Sequence, residues 1–166
     1  KTYDETLYRL FDADKQKAVA ILNIDRENTK PRKDIAKWSE VLDYVSYFYN
    51  ETYKENYTLP ENIAPEDAAA IASEYKKIFD VTDDKQVWFD KIKAMCEPLG
   101  FTPNGKEYKQ NPDGFKGHVG DVSTIIRVAL TGRTNTPDLF SITALLGEKR
   151  VKERLTKALE YYKENK

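Results

Sequence analysis

Apolar positions three and four residues apart recur along most of this chain. That spacing puts side chains on one face of an α-helix. The clearest stripe is Ala68, Ile71, Ala72, Tyr75, Ile78 and Phe79, and it predicts a helix over 65–79. Pro65 suits its first position, and Glu66 and Asp67 suit the positive end of the helix dipole. Thr82 reads as the cap of a second helix with Trp88, Ile92, Met95, Cys96 and Leu99 on one face, ended by Pro98 and Gly100. Upstream, Trp38, Val41, Leu42, Val45 and Phe48 form a similar stripe, preceded by short helices over 5–11 and 15–24 and a break at 28–31. Downstream, Val122, Ile125, Ile126, Ala129 and Leu130 predict a helix over 119–131, stopped by Gly132. Helices over 137–146, stopped by Gly147, and over 148–163 complete the series. Segment 50–64 is polar, carries Pro60 and reads as a loop or frayed helix end. Segment 101–117, rich in Gly, Pro and Asn, reads as a long irregular connection. No strand or repeat stands out. The expectation is an all-α helical bundle of two subdomains, 1–60 and 61–166.

Composition narrows the chemistry. Hydrophobic residues make up 40% of the 166 and aromatics 12%, enough to bury a core. Charged residues reach 33%, as solvated helix faces require. No apolar run approaches a membrane span of about 20 residues, so no membrane partner is expected, and the chain reads as cytoplasmic. One cysteine, Cys96, and one histidine, His118, rule out an internal disulfide and disfavour a zinc site. His118 is the one histidine available as a general base, and its glycine-flanked setting reads as structural or capping. No phosphate loop or dinucleotide fingerprint is present, so the chain reads as non-catalytic, with no cofactor of its own. The start at Lys1, with no methionine, suggests a piece of a longer protein.

Net charge is −1, but it is unevenly spread. Segment 26–37 holds five basic and two acidic residues, and 147–166 holds seven and four. A neutral chain with basic faces can still meet phosphate. The richest local pattern is Phe115 to Leu155. Arg127 lies on the helix that ends at Gly132, and Arg133 lies on the loop after it. Thr136 reads as the next helix cap and Pro137 as its first residue, followed by Leu139 and Phe140. Cations, open backbone donors and an aromatic in one bend can hold an unstacked nucleotide. Plain helix-loop-helix packing, with Leu139 and Phe140 buried, is the competing reading.

The same residues carry a resemblance. Arg127-Val-Ala-Leu-Thr-Gly132, Thr136-Pro-Asp-Leu-Phe140, Leu145-Leu-Gly147 and Arg154-Leu155 resemble, in order and spacing, the C-terminal anticodon-binding region of bacterial-type glutamyl-tRNA synthetases. The stretch from Asn23 to Trp38, with Pro31-Arg32-Lys33-Asp34, is similar to a subset of the same family. The resemblance implies an all-helical module that holds the anticodon loop of a glutamate-type tRNA beside an N-terminal catalytic domain of the same polypeptide. It implies contacts from Arg127, Thr136, Pro137, Leu139 and Phe140. It also implies an arginine for the last anticodon base, either Arg32 or Arg26. Lys33 and Lys37, with Arg32, are expected on backbone phosphates, and Arg133 beside the bend is expected to help grip the nucleotide. Asp138 stands where glycine is common in the family. The family's two ATP-handling signatures are absent from these residues, so ATP and Mg2+ are expected to belong to the rest of the parent enzyme. The rival class is a helical protein-interaction or scaffolding domain.

Overall fold

A computed structural model describes residues 4–165. The described residues form an all-α fold of eight helices, α1 Glu5–Ala13, α2 Lys15–Asn23, α3 Val41–Val45, α4 Pro65–Ile78, α5 Lys85–Cys96, α6 Gly105–Gln110, α7 Val119–Thr131 and α8 Leu139–Glu164. Short 3-10 turns flank α3 and follow α5 and α6.

Acidic side chains start several of these helices by accepting otherwise unpaired backbone N–H groups. Asp4 accepts from the Leu7 N–H and Asp14 from the Lys17 N–H. Pro65, Glu66 and Asp67 open α4, and Lys76 and Lys77 close it, in accord with the helix dipole. His118 caps α7 by accepting from the Gly120 and Asp121 N–H groups through Nδ1, while Asp121 accepts from the His118 N–H at 2.8 Å. The histidine is therefore a capping group.

The broadest helix pairing is α4 against α8, with α7 packed on both. Ala68, Ile71 and Ala72 of α4 bury against the interior, as do Ile125, Ile126 and Leu130 of α7 and Leu155 and Ala158 of α8. One contiguous apolar cluster runs from Leu7 to Tyr162 and includes residues on both sides of position 60. Trp88 donates from Nε1 to the Tyr75 hydroxyl at 2.8 Å, satisfying two buried polar groups at once. Cys96 is buried, and burial, with Glu97 nearby, pushes its thiol up to about 11. It is a core residue.

Four local expectations need correction. Thr82 does not cap α5. Its hydroxyl and N–H both go to Asp80 Oδ1, and Asp84 caps instead by accepting from the Gln86 and Val87 N–H groups. Thr136 and Pro137 likewise precede the helix they were expected to begin: Asp138 caps α8 by accepting from the Ser141 N–H at 2.9 Å. The connection 101–117 contains α6, capped by Asn104. Its two ends are pinned by Thr102 N–H to the Gly117 carbonyl and Val119 N–H to the Thr102 carbonyl. Finally, Trp38 leaves its predicted stripe and is 82% exposed, while Val41, Tyr44, Val45, Tyr47 and Phe48 are buried. The segment is 3-10, then α, then 3-10. A 3-10 turn winds three residues per turn, so the inward face drifts and Trp38 points away.

Two glycines set the geometry near the bend. Gly132 ends α7 at φ +72, and a Cβ there would lie 3.1 Å from the Lys54 carbonyl oxygen and 3.3 Å from Asn56 Cβ. Gly132→Ala is therefore expected to lower stability by roughly 1–2 kcal/mol from backbone strain alone, read as a lower urea midpoint in chemical denaturation. A variant as stable as the parent would show that the helix end adopts another conformation. Gly147, at φ +76 and ψ 163, breaks α8 between its two halves.

Candidate nucleic-acid interface

The loop between α7 and α8 is held from several directions. Arg127, one turn before the end of α7, donates from Nε to Thr136 Oγ1 at 2.9 Å. The Thr136 hydroxyl in turn donates a hydrogen bond to the Pro137 carbonyl at 3.0 Å. Thr136 and Pro137 are buried, whereas Thr134 and Asn135 are exposed. The Asp138 N–H reaches Asp25 Oδ2 at 2.9 Å, tying the loop to the turn after α2. Asp25 itself sits at φ +60, the left-handed region that Asp tolerates better than most residues. Burial would raise the Asp138 carboxyl, but bonds from Lys85 and Ser141 outweigh it and hold the group below the usual carboxylate range.

The first basic segment meets this loop. Arg32 forms a two-bond pair with Asp34, at 2.6 and 3.0 Å, and its Nη2 also approaches Asn135 Oδ1 at 3.4 Å. Arg133 reaches back to α3, donating to the Asp43 carbonyl at 2.7 Å and its carboxylate at 2.9 Å. Its guanidinium also stands 5.5 Å from the centre of the Tyr47 ring. Between these groups lies an open hollow of about 280 Å3, lined by Arg32, Asp34, Tyr44, Tyr47, Arg133 and Asn135 together with Thr136 and Pro137. Burial, and then the neighbouring Arg32, pull the Arg127 pKa down from its ordinary value. The two guanidinium groups that line the hollow, Arg32 and Arg133, come from stretches of chain about a hundred residues apart, and Arg127 reaches it through Thr136, which lines it.

The three arginines differ in what remains available. Arg32 and Arg133 are committed to Asp34 and Asp43. Arg127 forms no ion pair among the described residues, and its bond to Thr136 uses only Nε. Both of its Nη groups thus remain for another acceptor. A half-buried guanidinium without a carboxylate is costly unless an anion or acceptor arrives.

The other residues singled out in the sequence lie elsewhere. Leu139 is buried in the core, 4% exposed, and Phe140 packs on Trp88 at 5.6 Å between ring centres. Both sit behind the loop and support it. Lys33 and Lys37 are exposed, and neither forms an ion pair among the described residues. Arg26 is half-buried and does not line the hollow, which gives Arg32 the better-placed side chain of the two. Asp43, Tyr44 and Tyr47 escaped sequence reasoning. Only the approach of Arg133 to Asp43 and Tyr47, and the lining of the hollow by all three, reveal their part. Among the described residues no group of three or more His, Cys, Asp or Glu side chains is gathered to hold a metal. No described helix is long and apolar enough to cross a membrane.

The fold and the hollow together define a helical binding module whose arginine-lined bend suits a polyanion, and residues 108–159 match the family described as the anticodon binding domain. More particularly, the chain belongs to the glutamate-tRNA ligase family and matches the C-terminal part of its relatives. It is 42% identical over 164 residues to the glutamate-tRNA ligase of Clostridium beijerinckii, a match covering 96% of this chain and 30% of that protein. It is 37% identical to the enzyme of Acetivibrio thermocellus over 96% of this chain and 29% of the relative. For Sorangium cellulosum the identity is 35%, over 96% and 28%. The chain thus spans less than a third of the length of these relatives.

Proposed function

We propose that this chain binds the anticodon loop of a glutamate-type tRNA, so that a catalytic domain elsewhere in the parent polypeptide can charge the acceptor end. The observation that carries this reading is the half-buried Arg127, without an ion pair among the described residues and bonded to Thr136, which lines the hollow together with Arg32 and Arg133. An unstacked base or its phosphate supplies the acceptors that Arg127 lacks. Arg32 and Arg133, aimed by Asp34 and Asp43, add cations whose positions are fixed before the RNA arrives. Thr136 and Pro137 form the floor, with Leu139 and Phe140 supporting it from behind. Lys33 and Lys37 suit the sugar-phosphate backbone. The acids around the hollow weaken indiscriminate attraction, so affinity depends on a base that fits. ATP and Mg2+ would serve the charging step in the remainder of the enzyme, and the module itself needs neither for binding.

A titration with fluorescent anticodon hairpins tests this. A glutamate hairpin is expected to bind more tightly than an unrelated one. Its affinity is expected to fall about tenfold or more between about 50 mM and about 200 mM salt, as several phosphate contacts require. Equal binding of all hairpins with a flat salt response would overturn the proposal and favour an apolar protein-docking role.

A further inference from the structure

Trp38 is the most exposed large hydrophobic side chain among the described residues, at 82%, while the other tryptophan, Trp88, is 6% exposed. An indole this open forgoes the burial that normally makes tryptophan favourable in a folded chain. Its exposure does not come from a loose segment. Glu40 Oε2 accepts from the Ala36 and Lys37 N–H groups at 2.8 and 3.2 Å, and the Glu40 N–H returns to the Lys37 carbonyl at 3.0 Å. The Val41 N–H bonds to the Trp38 carbonyl, and Val41 is buried. The backbone that carries Trp38 is therefore tied into the core on one side and closed by a carboxylate on the other.

The surroundings are cationic. Lys30, Lys33 and Lys37 are exposed on the same segment and form no ion pair among the described residues. The acids nearby are already engaged, Asp34 by Arg32 and Glu40 by backbone N–H groups. The segment also runs into the arginine-lined hollow, since Arg32, Asp34 and Glu40 all line it. A flat, rigidly presented π-face beside unpaired lysines and a guanidinium pocket matches one kind of partner, a single-stranded nucleotide whose base stacks and whose phosphates meet the lysines.

We propose that Trp38 is a stacking platform for an unpaired nucleobase next to the nucleotide held at the Arg127 bend. This extends the binding surface from the hollow onto the 30–40 segment, and it rests on the tRNA reading above. Stacking needs no hydrogen-bond pattern, so Trp38 adds affinity with little choice among bases, whereas the arginines of the hollow select.

The test titrates the chain with a labelled glutamate anticodon hairpin, following RNA anisotropy and tryptophan emission together. The two tryptophans separate optically, because exposed Trp38 emits to the red of buried Trp88. Binding is expected to quench the red component, and Trp38→Phe should abolish that change. Trp38→Ala should weaken binding roughly tenfold, the order expected for one stacked base. Trp38→Phe, which keeps a π-face, should retain most of the affinity. If the hairpin binds by anisotropy but the red emission is unchanged, or Trp38→Ala binds like the parent, the platform is overturned and the tRNA reading stands. If no hairpin binds under any salt condition, both fail together.

Discussion

Leu130→Ala is expected to destabilise the protein by about 2–5 kcal/mol, the range for removing a large aliphatic side chain from a filled core. Leu130 is 0% exposed and belongs to the central apolar cluster. It also lies three residues after Arg127 and two before Gly132, so the helix turn that aims the bend is the turn that Leu130 anchors. Its carbonyl accepts a 2.5 Å bond from Nη1 of Arg154, a buried arginine stacked 3.7 Å from the centre of the Tyr53 ring. The backbone there is held from α8, so the helix end cannot slide inward to fill a void, and most of the cavity cost should persist. Against the roughly 5–15 kcal/mol of a typical domain this is a large share. Urea unfolding should show a lower midpoint with an unchanged slope. Val87→Ala, on the 43% exposed side of α5, should stay within about 0.5 kcal/mol and serves as the control. A loss under about 1 kcal/mol for Leu130→Ala would mean that the inner face of α7 is not packed as described.

The places where sequence reasoning succeeded and failed share a physical logic. Helix α4 was legible because its apolar stripe, its proline start and its charged ends all agree. The end of α7 at Gly132 was legible because glycine takes the left-handed backbone that closes a helix. The two misplaced caps failed in one way. In both Thr82-Asp-Asp84 and Thr136-Pro-Asp138 a threonine precedes an aspartate by two residues, and either can cap. The aspartate caps in both cases because the threonine is occupied, by Asp80 at one site and by Arg127 at the other. The first competitor is local, but the second depends on how a loop folds back on α7, which a cap rule does not contain. Trp38 departs from its stripe because a period of 3.6 does not hold where the chain winds in 3-10 turns. The meeting of Arg32 with Asn135, and of Arg133 with Asp43, spans some ninety to a hundred residues of chain. Periodicity carries no information at that range, so the arginines of the bend were legible as chemistry while the acids that hold two of them were not.

Those acids decide which arginine matters most for binding. Arg127→Ala is expected to weaken binding of the glutamate hairpin by roughly tenfold or more, equivalent to the 1–3 kcal/mol of one good base or stacking contact. Arg32 and Arg133 already spend donors on Asp34 and Asp43, so an incoming acceptor there replaces an existing partner and gains less. Arg127 has no such partner among the described residues, and an acceptor relieves a desolvated charge. Arg127→Lys should not restore affinity, because an ammonium cannot hold Thr136 through one donor and present two more in a plane. Thr136→Val should weaken binding less than Arg127→Ala, and its effect should shrink when Arg127 is already alanine, since its part is to aim that side chain. Parallel thermal melts separate this from folding: Arg127→Ala should retain a cooperative transition close to that of the parent, because the side chain is only half-buried and its loss relieves repulsion with Arg32. Unchanged hairpin affinity in a folded Arg127→Ala protein would remove Arg127 from the interface, leaving only arginines that the protein has already paired for itself.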